Sequence, residues 1–300
     1  MSGIFVLGMH RSGTSALARV VGILVGYEGE REAALGNETG HWETASARAV
    51  NNAIFARIGC DWACPPEQLP SAWTDSRISS LRPDAVAAIE AEKHSSWVWK
   101  DPRCTLTFPL WRQLCTTEPL IIATYRHPTG VGQSLHQRDG LPELFGVALW
   151  ERYNRALVSA LQGRKPLWVS FEELTEHPAA VVETVIEWLG QNGLPVTDAR
   201  AAQAAEHIRA RPSRAPAGAP LSVAQEQLWN ALSPLHGQTA APPSLIPDET
   251  YWLADMLTTR RRYLELESEL WALRGKLRRV ELLFRLTSWV RRVTGQRRAY

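Results

Sequence analysis

The chain has 300 residues, of which 45% are hydrophobic and 21% charged, and its formal net charge is +2. These values indicate an ordinary globular protein with one large domain and an appendage, and no apolar run approaches the length of a membrane span. The residues before His10 and Arg11 hold too short an apolar run for a signal peptide, so we expect a cytoplasmic protein.

The four cysteines are expected to be reduced thiols in that compartment. Cys60 and Cys64 could supply two ligands of a zinc ion, but no second cysteine pair and no pair of histidines completes such a site. We therefore expect no metal. The cysteines are Cys60, Cys64, Cys104 and Cys115.

The basic residues are concentrated near the end of the sequence. From Thr259 to Tyr300 there are 12 Arg or Lys and 4 Glu, whereas the remaining residues include 21 basic and 27 acidic ones. The basic character therefore belongs to the tail and not to the large domain.

The opening of the chain has the pattern of a strand, a glycine loop and a helix. Residues 4–7 are a short apolar run typical of a buried parallel strand, and turn residues follow from Gly8 to Gly13. Apolar residues then recur at helical spacing from Leu17 to Leu24.

The same alternation returns downstream. Residues 97–99, 120–125 and 167–170 are predicted strands, and helical patterns lie around residues 84–93, 144–161 and 179–189. We therefore predict a three-layer α/β fold with a central parallel sheet, forming a domain over residues 1–208.

Two further segments follow this domain. Residues 209–250 are rich in Pro and Ala and are predicted to form a linker or arm, with one short helix around Val223 to Leu232. Residues 251–300 are predicted to form a long basic helix whose apolar residues have coiled-coil spacing. That seam favours a homodimer, and the alternatives are peripheral contact with the inner membrane face or a solvated charged surface.

The glycine loop has the frame of a phosphate-binding loop. Two glycines in the run from Gly8 to Ser15 allow backbone N–H groups to point inward, and the helix N-terminus adds its positive dipole end. Thr14 occupies the position where a nucleotide triphosphatase has lysine, while Arg11 places a cation earlier, where it could neutralise a leaving phosphate.

A second phosphate ligand pair is predicted further along the chain. Arg126 closes the predicted strand 120–125, and Ser134 follows it by eight positions on the next predicted helix. An arginine and a serine so placed can bind one more phosphate.

These motifs resemble those of the sulfotransferase superfamily, above all its bacterial members with Gly-Met-His-Arg-Ser-Gly-Thr-Ser loops. The similarity extends from Ile4 to Gly190 through the runs 99–103, 134–140 and 149–154. It implies a P-loop-like fold, 3′-phosphoadenosine 5′-phosphosulfate as donor, its bisphosphate as product, and no metal. It also implies that the 5′ end of the donor is bound by Arg11, Ser12, Gly13, Thr14 and Ser15, and the 3′-phosphate by Arg126 and Ser134.

The resemblance leaves the general base open. The segment after the first helix holds Glu38 and Glu43, either of which fits the place of a catalytic glutamate, and Glu43 is slightly favoured. Lys100 fits as a cation on the transferring group, and Asp101 as an alternative base or an orienting partner. The other candidates are His10, His41 and His127.

The acceptor is expected to be a hydroxyl of a carbohydrate, glycolipid or small metabolite. Trp42, Trp62 and Trp73 lie in predicted loops where an indole could stack on a sugar ring, although core packing is the commoner role of tryptophan. The competing functions are a nucleotide or sugar kinase, which the missing loop lysine opposes, and a non-catalytic nucleotide-binding scaffold. No nucleic-acid partner is expected, because the tail arginines share a helix with an apolar seam.

Overall fold

The computed structural model describes residues 2–27, 44–66, 68–92, 96–208, 218–244 and 250. Beyond residue 250 it describes residues 253, 255–259, 262, 266, 269 and 273. The chain divides into two units, Met1–Ala254 and Asp255–Tyr300. The first unit contains the sheet and the candidate site.

The core of the first unit is a sheet of four parallel strands in the order β2-β1-β3-β4. The strands are β1 (Ser2–Leu7), β2 (Ser96–Trp99), β3 (Leu120–Tyr125) and β4 (Leu167–Ser170). All four predicted strands are confirmed. They were recognisable in the sequence because parallel strands that are buried on both faces consist of short continuous apolar runs.

Helices connect the strands and continue after the last of them. They are α1 (Thr14–Val25), α2 (Ala45–Arg57), α3 (Arg82–Glu90), α4 (Cys104–Arg112), α5 (Pro128–Asp139), α6 (Glu143–Ala160), α7 (Phe171–Glu176), α8 (Pro178–Gln191), α9 (Asp198–His207) and α10 (Val223–Leu232). The predicted helices correspond to α1, α3, α5, α6, α8 and α10, whereas α2, α4, α7 and α9 had no prediction. Pro109 lies inside α4, and an internal proline ordinarily argues against a helix.

Strand alternation divides the core into two layers on either side of the sheet. Ile4 and Val6 of β1 point toward α1, α8 and α9, while Phe5 points to the opposite face. There the Phe5 ring packs edge-on against Phe108 of α4, 5.3 Å between centroids, and Trp99 packs against Trp111 at 5.0 Å. The mixed α/β architecture with a central parallel sheet is thereby confirmed.

The strand order creates a crevice between β1 and β3. The chain leaves β1 through α1 toward β2 on one side, then returns to the other side of β1 to form β3 and continues outward to β4. In open parallel sheets, ligands bind outside the carboxyl ends of the strands where the order reverses in this way. The loops after Leu7 and Tyr125 meet at that point.

The described part of the Pro-rich segment, residues 218–244, packs onto the sheet domain. Its helix α10 begins with a capping box made by Ser222 and Gln225. Downstream, Trp168 of β4 donates its backbone N–H to the carbonyl of Gln238, and Gly237 donates to the carbonyl of Trp168. This part of the segment is therefore an arm that adds to the edge of the sheet.

A buried carboxylate anchors the arm. Glu151 of α6 is fully buried and accepts hydrogen bonds from the side chains of Arg155, Gln225 and Thr250 and from the backbone N–H of Thr250. Apart from the bond from Arg155, all hydrogen bonds to the Glu151 carboxylate come from Gln225 and Thr250. The carboxylate therefore joins α6 to the arm.

The predicted tail helix falls largely outside the described residues. Positions 253, 255–259, 262, 266, 269 and 273 are helical. The coiled coil, the homodimer and the membrane contact stay predictions. No helix of the described part is long and apolar enough to cross a membrane.

We expect Glu151→Ala to destabilise the protein by about 3–5 kcal/mol, because it deprives the buried Arg155 and the arm of their shared carboxylate. Glu118→Ala is the matched control: Glu118 pairs with Arg112 and Arg164 on the surface, so its loss should cost at most about 1 kcal/mol. Urea denaturation measures both, and equal losses would contradict the anchoring role.

Candidate functional site

The loop between β1 and α1 is clamped from two directions. Gly8 donates its backbone N–H to Thr105 Oγ1 at 2.8 Å, and the same hydroxyl donates to the Gly8 carbonyl at 3.0 Å. On the other side, Thr124 Oγ1 of β3 donates to the carbonyl of Ser12 at 2.8 Å. Thr105, which follows β2, therefore holds the beginning of the loop, and Thr124, which lies in β3, holds its end.

The loop can adopt this path only with glycine at two positions. A Cβ on Gly8 would lie 2.4 Å from the carbonyl oxygen of Thr124. Gly13 has φ of 81°, in the left-handed region, and a Cβ there would lie 2.9 Å from Phe171 Cδ2. Arg11 has φ of 69° and is the one non-glycine with positive φ in the described ranges. Left-handed backbone at a long side chain marks strain held by the surrounding contacts.

The start of α1 adjoins the loop as a helix N-terminus. Gly13 supplies no side-chain cap, and no acidic residue lies in the first turn. The hydroxyl of Ser12 is buried, and no described residue bonds to its Oγ. Backbone N–H groups at a helix N-terminus and a buried unpaired hydroxyl together form the kind of cradle that binds phosphate.

The residues predicted for the second phosphate meet the loop. Arg11 donates from Nε to Ser134 Oγ at 2.8 Å, and Arg126 donates from Nη1 to the carbonyl of Arg11 at 3.0 Å. The guanidinium of Arg126 also lies 4.0 Å from the centroid of the Phe171 ring. A Cβ on Gly130 would lie 2.8 Å from Arg126 Nε, so glycine gives that guanidinium room.

Burial makes both arginines costly to keep charged. It lowers the pKa of Arg126 to about 10, partly offset by Glu172, and together with Arg138 it lowers the pKa of Arg11. Both side chains still carry a charge at neutral pH. Neither forms an ion pair with a carboxylate of the described chain, and a bound anion would supply the missing partner.

Asp101 accepts three hydrogen bonds from its neighbours. Its Oδ1 accepts from the backbone N–H and Nη1 of Arg103, both at 2.9 Å, and its Oδ2 accepts from Asn51 Nδ2 at 2.8 Å. Lys100, immediately before it at the carboxyl end of β2, is 2% exposed. Asp101 thereby links Arg103 to Asn51, and its role as a base or as an orienting partner stays a prediction.

Asn51 of α2 is a residue that sequence reasoning missed. Its Oδ1 accepts from Thr107 Oγ1 at 2.8 Å and from Trp111 Nε1 at 2.9 Å, while its Nδ2 holds Asp101. An isolated Asn in a helix with no other motif gives no signal of this role, because all its partners lie at least 50 residues away.

The two glutamates proposed as the base, Glu38 and Glu43, lie outside the described residues, as do His41 and Trp42. Their roles stay predictions. His127 is described: its backbone N–H donates to Glu172 Oε1 and its Nδ1 bonds Thr129 Oγ1, so it is part of the turn into α5.

An aromatic cluster lies beside the loop. The imidazole of His10 is 4.6 Å from the ring of Trp62 and 5.7 Å from that of Tyr153, and Tyr153 donates its hydroxyl to the Trp62 carbonyl at 2.9 Å. Arg138 of α5 lies over the Trp62 ring at 5.5 Å. Trp73, by contrast, is buried in the core, where it donates to the carbonyl of Leu110.

A cavity of about 410 Å³ lies elsewhere, at the amino ends of β3 and β4. It is lined in part by Arg112, Glu118, Arg164, Lys165 and Trp188. Parallel sheets bind ligands at the opposite ends of their strands, so this cavity is separate from the candidate site. In the described part of the chain, no group of three or more His, Cys, Asp or Glu is placed to hold a metal ion.

The chain was compared with known proteins. No protein-family model matches the chain, and no curated protein matches it. Among solved structures, the chain is similar to the sulfotransferase domain of the Synechococcus PCC 7002 olefin synthase. That similarity covers 86% of this chain and 94% of that one, with 15% sequence identity and a TM-score of 0.44.

Gly13→Ala and Gly59→Ala form a matched pair that tests the loop geometry. Both glycines have left-handed backbone, so each alanine should cost about 1–2 kcal/mol. Only at Gly13 does the new methyl group also clash, with Phe171, whereas Gly59 has open space. We expect Gly13→Ala to unfold at lower denaturant concentration, by a further ~1–3 kcal/mol. Equal midpoints would mean that the loop does not hold this conformation in solution.

Proposed function

We propose that the chain is a sulfotransferase, which moves a sulfuryl group from 3′-phosphoadenosine 5′-phosphosulfate to a hydroxyl of a carbohydrate, glycolipid or small metabolite. The observation that carries the proposal is the meeting of Arg11, Arg126 and Ser134 beside the uncapped start of α1. Two half-buried cations without carboxylate partners there suit a ligand with two separated anionic groups.

The proposed donor occupies both parts of this site. Its 5′ end is bound by the loop from Arg11 to Ser15, where the buried Ser12 hydroxyl and the α1 N-terminus offer hydrogen bonds. Its 3′-phosphate is bound by Arg126 and Ser134. Because Arg11 already bonds Ser134, its guanidinium would have to turn toward the 5′ end to accompany the donor.

The chain's own residues supply orientation and charge. The bound donor supplies an activated sulfuryl group, and the loop holds its phosphate against the helix N-terminus. Arg11 offsets negative charge that grows on the leaving phosphate, and Lys100, at the end of β2, serves as a cation near the transferring group. Asp101 and Asn51 hold the segment that carries Lys100 in place.

Thr14 separates this proposal from a kinase. A lysine at that position would reach a β- or γ-phosphate, and the threonine, which begins α1, cannot carry that charge. A ligand with a 3′-phosphate should therefore be preferred over a triphosphate with magnesium.

Isothermal calorimetry with 3′-phosphoadenosine 5′-phosphate tests the donor site. We expect Arg126→Ala and Ser134→Ala each to weaken binding by about 10- to 100-fold, because each removes a charge-assisted hydrogen bond to a phosphate. Arg112→Ala is the control, since it removes an exposed arginine at the opposite ends of the strands.

The same titration is repeated with ATP and magnesium. Failure of the unaltered protein to bind the bisphosphate, or tighter binding of ATP, would contradict the proposal. Equal weakening in Arg112→Ala would show that binding reflects only general charge.

A further inference from the structure

A hydroxyl that attacks sulfur must give up its proton, and three of the described carboxylates near the loop already have hydrogen-bond partners. Asp101 has both oxygens bonded by Arg103 and Asn51. Asp139 is paired with Arg138, and both oxygens of Glu172 are held in the turn into α5. Each of these three carboxylates therefore already has a structural partner in the described part of the chain.

His10 differs from them because one of its ring nitrogens has no partner in the part of the chain that the structure describes. It is 8% exposed, lies immediately before Arg11, and its Nε2 is buried with no hydrogen-bond partner among the described residues. A buried polar atom in a folded protein is ordinarily bonded, and one that is not calls for an explanation such as a catalytic role or an unseen ligand.

Positive charge surrounds this imidazole. Burial lowers the pKa of His10 well below its usual 6.5, and the cations that add to this effect are Arg103, Arg138, Lys100 and Arg11. Arg103 is paired with Asp101 and Arg138 with Asp139, but no described carboxylate contributes to the shift of the His10 pKa itself. The imidazole is therefore neutral at pH 7, as a base must be before it acts.

We propose that His10 is the catalytic base, whose Nε2 accepts the proton of the acceptor hydroxyl. This inference rests on the proposed function, since it assumes that the donor's phosphosulfate lies on the loop beside Arg11. The required tautomer carries its hydrogen on Nδ1 and leaves the Nε2 lone pair available.

The step balances as a simple displacement. The acceptor oxygen forms a bond to sulfur, and the bond between sulfur and the bridging oxygen breaks, leaving its electron pair on the 5′-phosphate of the departing bisphosphate. The proton passes from the acceptor oxygen to Nε2, and nothing is oxidised or reduced. Because the resulting imidazolium is surrounded by cations, it readily returns the proton to solvent.

The acceptor would approach along Trp62. The Trp62 ring packs at a tilt against the imidazole, 4.6 Å between centroids, and the Arg138 guanidinium lies 5.5 Å from the centroid of the Trp62 ring. An acceptor that reaches Nε2 must therefore replace part of the Trp62 contact. A hydroxyl on a flat or ring-shaped molecule, such as a sugar or a phenol, can do so while stacking on the indole.

The first test measures protonation and needs no turnover. NMR of protein with labelled histidine, with His10→Gln to assign the signal, should give His10 a pKa below 6.5. Saturating 3′-phosphoadenosine 5′-phosphate should raise that pKa, because its negative charge offsets the surrounding cations. An ordinary pKa that the bisphosphate leaves unchanged would overturn the proposal.

The second test measures the reaction with His10→Gln, which keeps a polar side chain that cannot take up a proton. The donor is sulfur-labelled, and the acceptors are a panel of sugars and phenols as well as water itself. We expect kcat to fall at least about 100-fold while affinity for the bisphosphate changes by less than about threefold. His177→Gln, at an exposed histidine before α8, should behave as the unaltered protein.

The pH profile adds a third readout. A base must be deprotonated, so kcat/KM of the unaltered protein should fall as pH drops through the low pKa of His10, below pH 6.5. This acid limb should vanish in His10→Gln.

The outcomes separate this inference from the proposed function. Full activity of His10→Gln, with tight binding of the bisphosphate, would overturn the base and leave the sulfotransferase proposal standing. Equal loss of bisphosphate affinity and kcat would assign His10 to loop structure instead. An unaltered protein that binds no bisphosphate would overturn both proposals.

Discussion

The site depends on one hydrogen bond, from the guanidinium of Arg126 to the backbone carbonyl of Arg11. It joins the loop that follows β1 to the loop that follows β3, across the point where the strand order reverses. The bond also helps to hold Arg11 in left-handed backbone, which aims its side chain at Ser134. Two arginines are thereby kept close together in a half-buried crevice. Their positively charged guanidinium groups repel each other, and an anion bound between them would offset this repulsion.

The rest of the fold supplies the rigidity that this arrangement requires. The aromatic layer around Phe5, Trp99 and Phe108 fixes β1 against β2 and α4, and Thr105 of α4 then bonds the first residue of the loop. Asn51 and Asp101 hold the end of β2 in the same manner. The loop is therefore positioned from buried elements on both sides, which suits a group-transfer site where small displacements are costly.

Sequence reasoning found the parts of the molecule whose signals are local. The strands and the glycine loop were recognisable because apolar runs and turn residues are read from neighbouring positions, and Thr14 distinguished the loop from that of a triphosphatase. Helix α4 was missed because Pro109 lies inside it. Asn51 and Thr105 were missed because their partners are 50 to 97 residues distant, and no spacing rule connects them.

His10 shows the same limit at the candidate site. It was one of three candidate histidines in the sequence, and only the packing of Trp62 and Tyr153 around it, with cations beyond, sets it apart. His127 is also a histidine next to an arginine, yet its backbone and its ring both form hydrogen bonds in the turn into α5. Burial and charge in three dimensions, rather than position in a motif, distinguish the two.

A crystal structure with bound 3′-phosphoadenosine 5′-phosphate tests the central claim most directly. The account predicts the 5′-phosphate at the start of α1 within hydrogen-bond distance of Ser12 Oγ, and the 3′-phosphate on Arg126 and Ser134, with the bond between Arg11 and Ser134 broken. Bisphosphate bound instead in the cavity beside Arg112 and Arg164, with the loop unchanged, would contradict it.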